Sequence, residues 1–386
     1  MSITSPRGFR AAGVVAGLKS SGAPDLALVV NDGPRFAAAG VFTRNKVKAA
    51  PVLWSQQVLS TGALRAVVLN SGGANACTGP EGFRTAHATA EKAAELLGCG
   101  AIEVAICSTG LIGAQLPRDA VLAGVATAHA ALAAGAAADD AAATAIMTTD
   151  TTRKQVTCEN RAGWRIGGMT KGAGMIAPSM ATMLSLLTTD AVLGAAELDS
   201  ALRAAVRVTF DRLDVDGSMS TNDTVLLLAS GASGVRPDPA DFQRSLTQTC
   251  RFLAEQMQAD AEGVTKRIWV RVSGAASEDE AVVVARTVAR DSLVKTALFG
   301  SDANWGRIAA AVGYSDAAVD PDTLDITIND VPLCIGGVAA GGRTSVDLSG
   351  AEIVVAVALG LGDGVGEIRT TDLSHAYVEE NSAYPS

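Results

Sequence analysis

Little aromatic surface is available to this chain. Phe, Trp and Tyr make up 4% of its residues, so a platform for stacking nucleobases is poorly supplied. Positive charge is also in deficit. The 31 Lys and Arg stand against 40 Asp and Glu, a net charge of -9, and no stretch carries the basic stripe that neutralises a phosphate backbone. Nucleic acid is therefore not an expected partner. Only His87, His129 and His375 are present, on separate segments, which gives a histidine-based Ser-His or Cys-His site little support. The six cysteines (Cys77, Cys99, Cys107, Cys158, Cys250 and Cys334) form no C-x-x-C pair and show none of the spacings that hold zinc. They read as reduced, mostly buried thiols. Long, strongly apolar runs are missing as well. The most apolar stretch, "AVLAGVATAHAALAAGAAADDAAATAIM", is dominated by alanine and interrupted by Asp139 and Asp140, whereas a bilayer span needs about 20 strongly apolar residues. It reads as a pair of soluble helices. The N-terminus has no charged start leading into an apolar core and a cleavage site, so a cytoplasmic address is expected and a membrane is not.

The 386 residues, 48% hydrophobic and 18% charged, are enough to bury a sizeable core as two domains or one large one. Short β-rich runs, "LALVVND", "AAAGVFTRN" and "RAVVLNSGGANACTG", open the chain. They are followed by an amphipathic helix, "GFRTAHATAEKAAELLG", with a glycine stop, and by a strand, "IEVAICSTG". Alternation of helix and strand predicts an α/β layered fold. "ELDSALRAAVRVTFDRL" and "DPADFQRSLTQTCRFLAEQMQADA" add two more helices, and "KRIWVRVSGAAS" another strand. A C-terminal subdomain is expected from about residue 286, with a helix over "LVKTALFGSDANWGRIAAAVG" and the strands "EIVVAVALG" and "EIRTTDLS" joined by a hairpin turn at "LGDGVG".

Two motifs fail on inspection. "GLGDGVG" misses the dinucleotide spacing and lies between strands rather than before a helix. "DVDGSMSTND" has Gly217 at the fourth position of a calcium loop instead of the sixth, and Val225 where a bidentate Glu is required. More informative is "KGAGMIAPSMATMLSLLTTDA", a glycine-rich loop running into an apolar strand with Thr182 at the junction. A threonine freed at an N-terminus by backbone cleavage carries its own base, an α-amine with a pKa of about 8. Attack of the Thr182 hydroxyl on the Ala181 carbonyl would start such a cleavage, and the small residues Gly172, Gly174 and Ala181 permit the tight backbone it needs. On composition alone, a plain threonine in a half-buried strand is favoured.

The stretch "KGAGMIAPSMATML" resembles the autoprocessing signature of the glutamate N-acetyltransferase family of arginine biosynthesis, also called ornithine acetyltransferase. "NSGGANACTG", "STGLIG", "AIMTTDT", "MSTNDTVLLLASG", "EGVTK", "LVKTALFGSDANWGRI" and "YVEENSAYPS" follow in the family's order, so the resemblance covers essentially the whole chain. It implies an α/β (α+β) fold with a layered α/β/β/α core similar to N-terminal-nucleophile hydrolases and a smaller C-terminal α/β subdomain. The precursor would cut itself between Ala181 and Thr182. The α chain, 1–181, would supply the N-terminal part of the core. The β chain would supply the rest, 182–285, and the subdomain, 286–386, and two of each chain would assemble.

The activity implied is transfer of acetyl from N2-acetyl-L-ornithine to L-glutamate through an acetyl-Thr182 ester. Oxyanion donors carried over are the Thr109 hydroxyl and the Gly110 backbone N–H; independently of the family, both follow a predicted strand. Substrate contacts carried over are Thr148, Lys171, Thr182, Glu262, Asn381 and Ser386, with Thr149 as an alternative to Thr148. In isolation Lys171 and Glu262 would read as ordinary surface charges. Gly73, Ala303, Ser382 and Pro385 depart from the commoner family residues, and Ser386 stands where many members have Thr. No metal or organic cofactor is implied, and whether acetyl-CoA also serves as a donor is left open. Two other readings compete: a self-cleaving aminopeptidase or amidase of similar fold, and a binding protein that has kept the fold without the chemistry.

Overall fold

The computed structural model describes residues 2–177 and 183–383, divided into two compact units. The first covers residues 1–211 and 218–257, the second 212–217 and 258–385. The first contains strands β1 (Phe9–Val14), β2 (Leu26–Asn31), β3 (Ala37–Phe42), β4 (Ala66–Asn70), β5 (Val104–Ser108), β6 (Lys154–Glu159), β7 (Arg165–Lys171), β8 (Leu184–Thr189) and β9 (Thr224–Ala229). Its helices are α1 (Ala50–Val58), α2 (Gly79–Leu97), α3 (Arg118–Ala130), α4 (Ala136–Ala145), α5 (Ala195–Arg207) and α6 (Pro239–Ala259), the last of which ends just inside the second unit.

Two sheets form the middle of this unit, one in the order β1-β2-β4-β5 and the other β3-β9-β8-β7-β6. Leu28, Val68 and Ile106 of the first share a core with Met169, Leu186 and Leu226 of the second. The opposite face of the second sheet is covered too, since Met257 of α6 reaches Thr170 and Phe242 packs on Trp164. With both faces covered, every residue of β8 and β9 is buried, and β9 reads as a continuous apolar run after its first residue instead of alternating. Helices α1 to α4 cover the outside of the first sheet, and Trp54 of α1 donates from Nε1 to the Val104 carbonyl at 3.0 Å. The expected α/β/β/α layering is therefore present, and the alanine-rich stretch does form two helices, α3 and α4. Two pairings in these sheets, β4 with β5 and β8 with β9, are parallel, and loops at strand ends of this kind are where open α/β folds bind ligands.

The second unit contains β10 (Arg267–Ala275), α7 (Glu278–Arg290), α8 (Ser292–Phe299), α9 (Trp305–Gly313), β11 (Asp325–Ile328), β12 (Val331–Ile335), β13 (Val338–Ala339), β14 (Glu352–Ala358), β15 (Gly364–Thr371) and α10 (His375–Ala383). It starts ahead of the boundary expected near residue 286 because β10 is central to its sheet, ordered β13-β12-β11-β14-β10-β15. The hairpin expected at "LGDGVG" does not form. β14 and β15 each bond β10, parallel and antiparallel respectively, so the glycine-rich turn carries the chain across an intervening strand. The single helix expected over "LVKTALFGSDANWGRIAAAVG" is two. Asp291 caps α8 by accepting from the Val294 N–H, α8 stops at Gly300, and Ser301 takes a positive φ of 54° before α9 begins. The cysteines are free but less uniformly buried than expected, with Cys107, Cys250 and Cys334 buried and Cys77 exposed. Among the described residues no helix is long and apolar enough to cross a membrane.

Candidate active site

Thr109 and Gly110 leave the C-terminal end of β5, and the neighbouring "NSGGAN" loop from β4 fixes their backbone. The Thr109 N–H donates to the Asn70 carbonyl at 2.9 Å, and the Thr109 carbonyl accepts from the Gly73 N–H at 3.0 Å. Ser108 Oγ donates to Asn70 Oδ1 at 2.6 Å and Asn70 Nδ2 to the Gly73 carbonyl at 3.1 Å, closing a short polar lattice. Gly110 has φ +127°, and a Cβ there would lie 2.5 Å from the Gly73 nitrogen. Only glycine fits, because the opposing atoms are backbone and cannot rotate away. Thr109 is 2% exposed while Gly110 is exposed, and among the described residues the Gly110 N–H donates to nothing. Among the described residues this leaves one backbone donor open beside a buried hydroxyl.

Lys171, at the end of β7, departs from a surface charge: it is 1% exposed. Its Nζ donates to Thr109 Oγ1 at 3.4 Å, leaving the Thr109 hydroxyl proton free to point elsewhere. Burial of an ammonium needs acidic company, and Asp150 supplies it. Asp150 Oδ1 accepts from Lys154 Nζ at 2.6 Å and from the Gly172 N–H at 2.7 Å, and Oδ2 accepts from the Thr148 N–H at 3.0 Å. Burial alone would push this carboxyl up, but Lys171 and Lys154 outweigh it and hold it down at about 2. Thr148 is thereby tied to the same carboxylate that neighbours Lys171. Thr149 is half-buried alongside it, and both hydroxyls remain candidates.

The segment before β9 joins these pieces to the strand that follows Thr182. Asn222 Nδ2 donates to the Ser108 carbonyl at 2.8 Å and to the Ala74 carbonyl at 2.6 Å, anchoring both loops of the oxyanion turn. Asp223, fully buried, accepts at Oδ1 from the Met183 N–H at 3.2 Å. Burial pushes its carboxyl well above the ordinary range, against the pull of the Met183 N–H and the Lys171 charge. The Asp223 Oδ2 has no hydrogen-bond partner among the described residues.

Thr182 and the Ala181–Thr182 bond lie outside the described residues, as does Ser386. The structure thus brings Thr109, Gly110, Thr148 and Lys171 together in the first unit. Glu262 and Asn381 belong to the second, where Asn381 Nδ2 donates to Glu262 Oε2 at 2.9 Å. Asp150, Lys154, Asn222 and Asp223 were not singled out from sequence, although "MTTDT" and "MSTND" contain three of them. The one available signal was the placement of acids and amides beside strand ends. His87 lies edge-on against Trp54 with ring centroids 4.9 Å apart.

Comparison with known proteins gives a consistent result. The profile of the ArgJ family matches residues 10–386. The arginine biosynthesis bifunctional protein ArgJ of Mycolicibacterium paratuberculosis is 63% identical, with 100% of this chain and 96% of that protein covered. Its counterpart in Streptomyces coelicolor is 57% identical, with 100% of both covered. A solved structure of the ornithine acetyltransferase of Mycobacterium tuberculosis in complex with ornithine is 64% identical, covering 46% of this chain and 94% of that one at a TM-score of 0.46.

Proposed function

The chain belongs to the ArgJ family, and from that membership we propose that it is a self-processing acetyltransferase of arginine biosynthesis that moves acetyl from N2-acetyl-L-ornithine to L-glutamate. The observation that carries the reading to particular residues is the Thr109–Gly110 turn, clamped by backbone on one side and lying 3.4 Å from the buried Lys171 ammonium on the other.

In this reading Thr182, freed at the N-terminus of a β chain (182–386), uses its hydroxyl as nucleophile and its α-amine as base. The Oγ–carbon bond forms as the amine takes the hydroxyl proton. Collapse of the tetrahedral intermediate breaks the acetamide C–N bond and returns that proton to the departing ornithine nitrogen. The amine of glutamate then attacks the acetyl ester, and the proton it sheds restores the Thr182 hydroxyl. In both halves the oxyanion is met by the Thr109 hydroxyl and the Gly110 N–H, which are already oriented and need no reorganisation. Lys171 and a hydroxyl of Thr148 or Thr149 suit an α-carboxylate, and Glu262 with Asn381 suits the δ-ammonium of ornithine. Thr182, Thr109 and Gly110 supply nucleophile, base and oxyanion donors without a metal or organic cofactor, and acetyl-CoA would enter only as a second donor. The proposal extends to two α chains (1–181) and two β chains in one assembly, and to a cytoplasmic location.

The test is steady-state release of ornithine from N2-acetyl-L-ornithine with and without glutamate, alongside intact-mass analysis under denaturing conditions. Glutamate-dependent release in a ping-pong pattern, from a protein whose second chain begins "TMLSLLTTDA", is expected. Release indifferent to glutamate would make it a hydrolase instead, and an uncut, inert chain would leave a binding protein.

A further inference from the structure

Asp150 takes no part in the transfer chemistry, yet it is buried and its contacts with the Thr148 and Gly172 N–H groups lie at and beside site residues. Its two oxygens accept from the Thr148 N–H, the Gly172 N–H and Lys154 Nζ. One carboxylate thereby joins the loop after α4, the end of β7 and the start of β6. We propose that Asp150 is a positioning residue that keeps the Lys171 ammonium charged and fixed in place, so that the α-carboxylate of the substrate meets a preformed cation. This rests on the assignment of Lys171 to carboxylate binding.

The charged groups around it support the idea. The Lys171 charge acts on Asp150, which also accepts from Lys154 of β6, and on Asp223 from the segment before β9. Lys19, from the N-terminal segment, feels Asp150 more weakly than it feels Asp25. Two buried lysines therefore share one strongly acidic carboxylate, while burial of Asp223 favours its neutral form. Withdrawing the ionised Asp150 removes a negative charge that offsets desolvation of the Lys171 ammonium, and desolvation favours the neutral amine.

The experiment measures KM for N2-acetyl-L-ornithine from about pH 6 to about pH 9 in the wild-type protein, Asp150→Asn and Lys171→Met, with thermal melting as a folding control. In Asp150→Asn, KM is expected to rise by about tenfold per pH unit once Lys171 gives up its proton, while kcat at the acid end stays within about threefold and the wild-type KM stays flat. A KM in Asp150→Asn that parallels wild type at every pH, raised or not, overturns the proposal. Should that variant fail to fold, Asp150→Asn combined with Lys154→Met removes the carboxylate together with one lysine and carries the same expectation. A wild-type KM in Lys171→Met would instead overturn the carboxylate-binding assignment, which separates the two failures.

Discussion

Replacing Gly110 by alanine tests the oxyanion turn directly. The added Cβ would sit 2.5 Å from the Gly73 nitrogen, 2.8 Å from the Gly72 carbonyl carbon and 3.1 Å from the Gly72 nitrogen, where ordinary contact begins at 3.4 Å. All three atoms are backbone, so relief requires the two loops to part by about 1 Å, a displacement that can cost about a hundredfold when it falls on aligned reacting groups. The N–H that moves is the proposed donor to the oxyanion, and loss of one such donor is worth about 3–4 kcal/mol. Gly110→Ala should therefore lower kcat for acetyl transfer by about 10²- to 10³-fold, with KM for N2-acetyl-L-ornithine changed little. Gly113 is the internal control. It shares a positive φ, +91°, but an added Cβ there meets nothing within 4 Å. Gly113→Ala should pay only the left-handed backbone strain, about 1–2 kcal/mol in unfolding free energy, and keep kcat within about twofold of wild type. Equal kcat in the two variants, or a Gly110→Ala enzyme as fast as wild type, would refute the assignment of that N–H.

Thr182→Ala should abolish both self-cleavage and transfer, read by intact mass and by ornithine release, and a cut, active alanine variant contradicts the mechanism. Thr109→Ala should slow transfer by about a hundredfold or more, whereas Thr109→Ser, which keeps the hydroxyl, should recover most of the rate. Asn222→Ala leaves the Ser108 and Ala74 carbonyls without their buried donor and should lower unfolding free energy by about 2–4 kcal/mol, with a fall in kcat because Thr109 follows directly on Ser108. Asp150 titrates at about 2 instead of an ordinary 3.8 because Lys171 and Lys154 outweigh its burial. A carboxyl depressed on folding stabilises above its unfolded pKa and loses that contribution as pH falls through the folded one. The stability gap between wild type and Asp150→Asn should accordingly narrow by about 2 kcal/mol between about pH 5 and about pH 2 in urea titrations, and a gap constant across that range contradicts the coupling.

Much of the molecule was legible because the signals are local. Apolar runs bounded by glycine-rich turns marked β2, β4, β5 and β8, and the alanine-rich stretch with its central Asp139–Asp140 pair marked α3 and α4. Thr109 and Gly110 came from the family resemblance, with which their place just after a predicted strand agreed. Order in a sheet is a different kind of fact. β14 and β15 are neighbours along the chain, yet β10 bonds both, because the Ile268, Val270 and Val272 face completes a core with Ile353, Val355 and Ile368 that a bare hairpin would leave open. The charge state of the site belongs to the same category. Nothing local distinguishes Lys171 from a solvated lysine, and Asp150, Asn222 and Asp223 acquire roles only when two sheets bring separated strand ends within hydrogen-bond distance. Local periodicity and residue type thus determined the elements, and the resemblance of its motifs determined the family to which the chain belongs. Tertiary packing alone decided which strands pair and which buried charges face one another, because both depend on desolvation by residues far away in sequence.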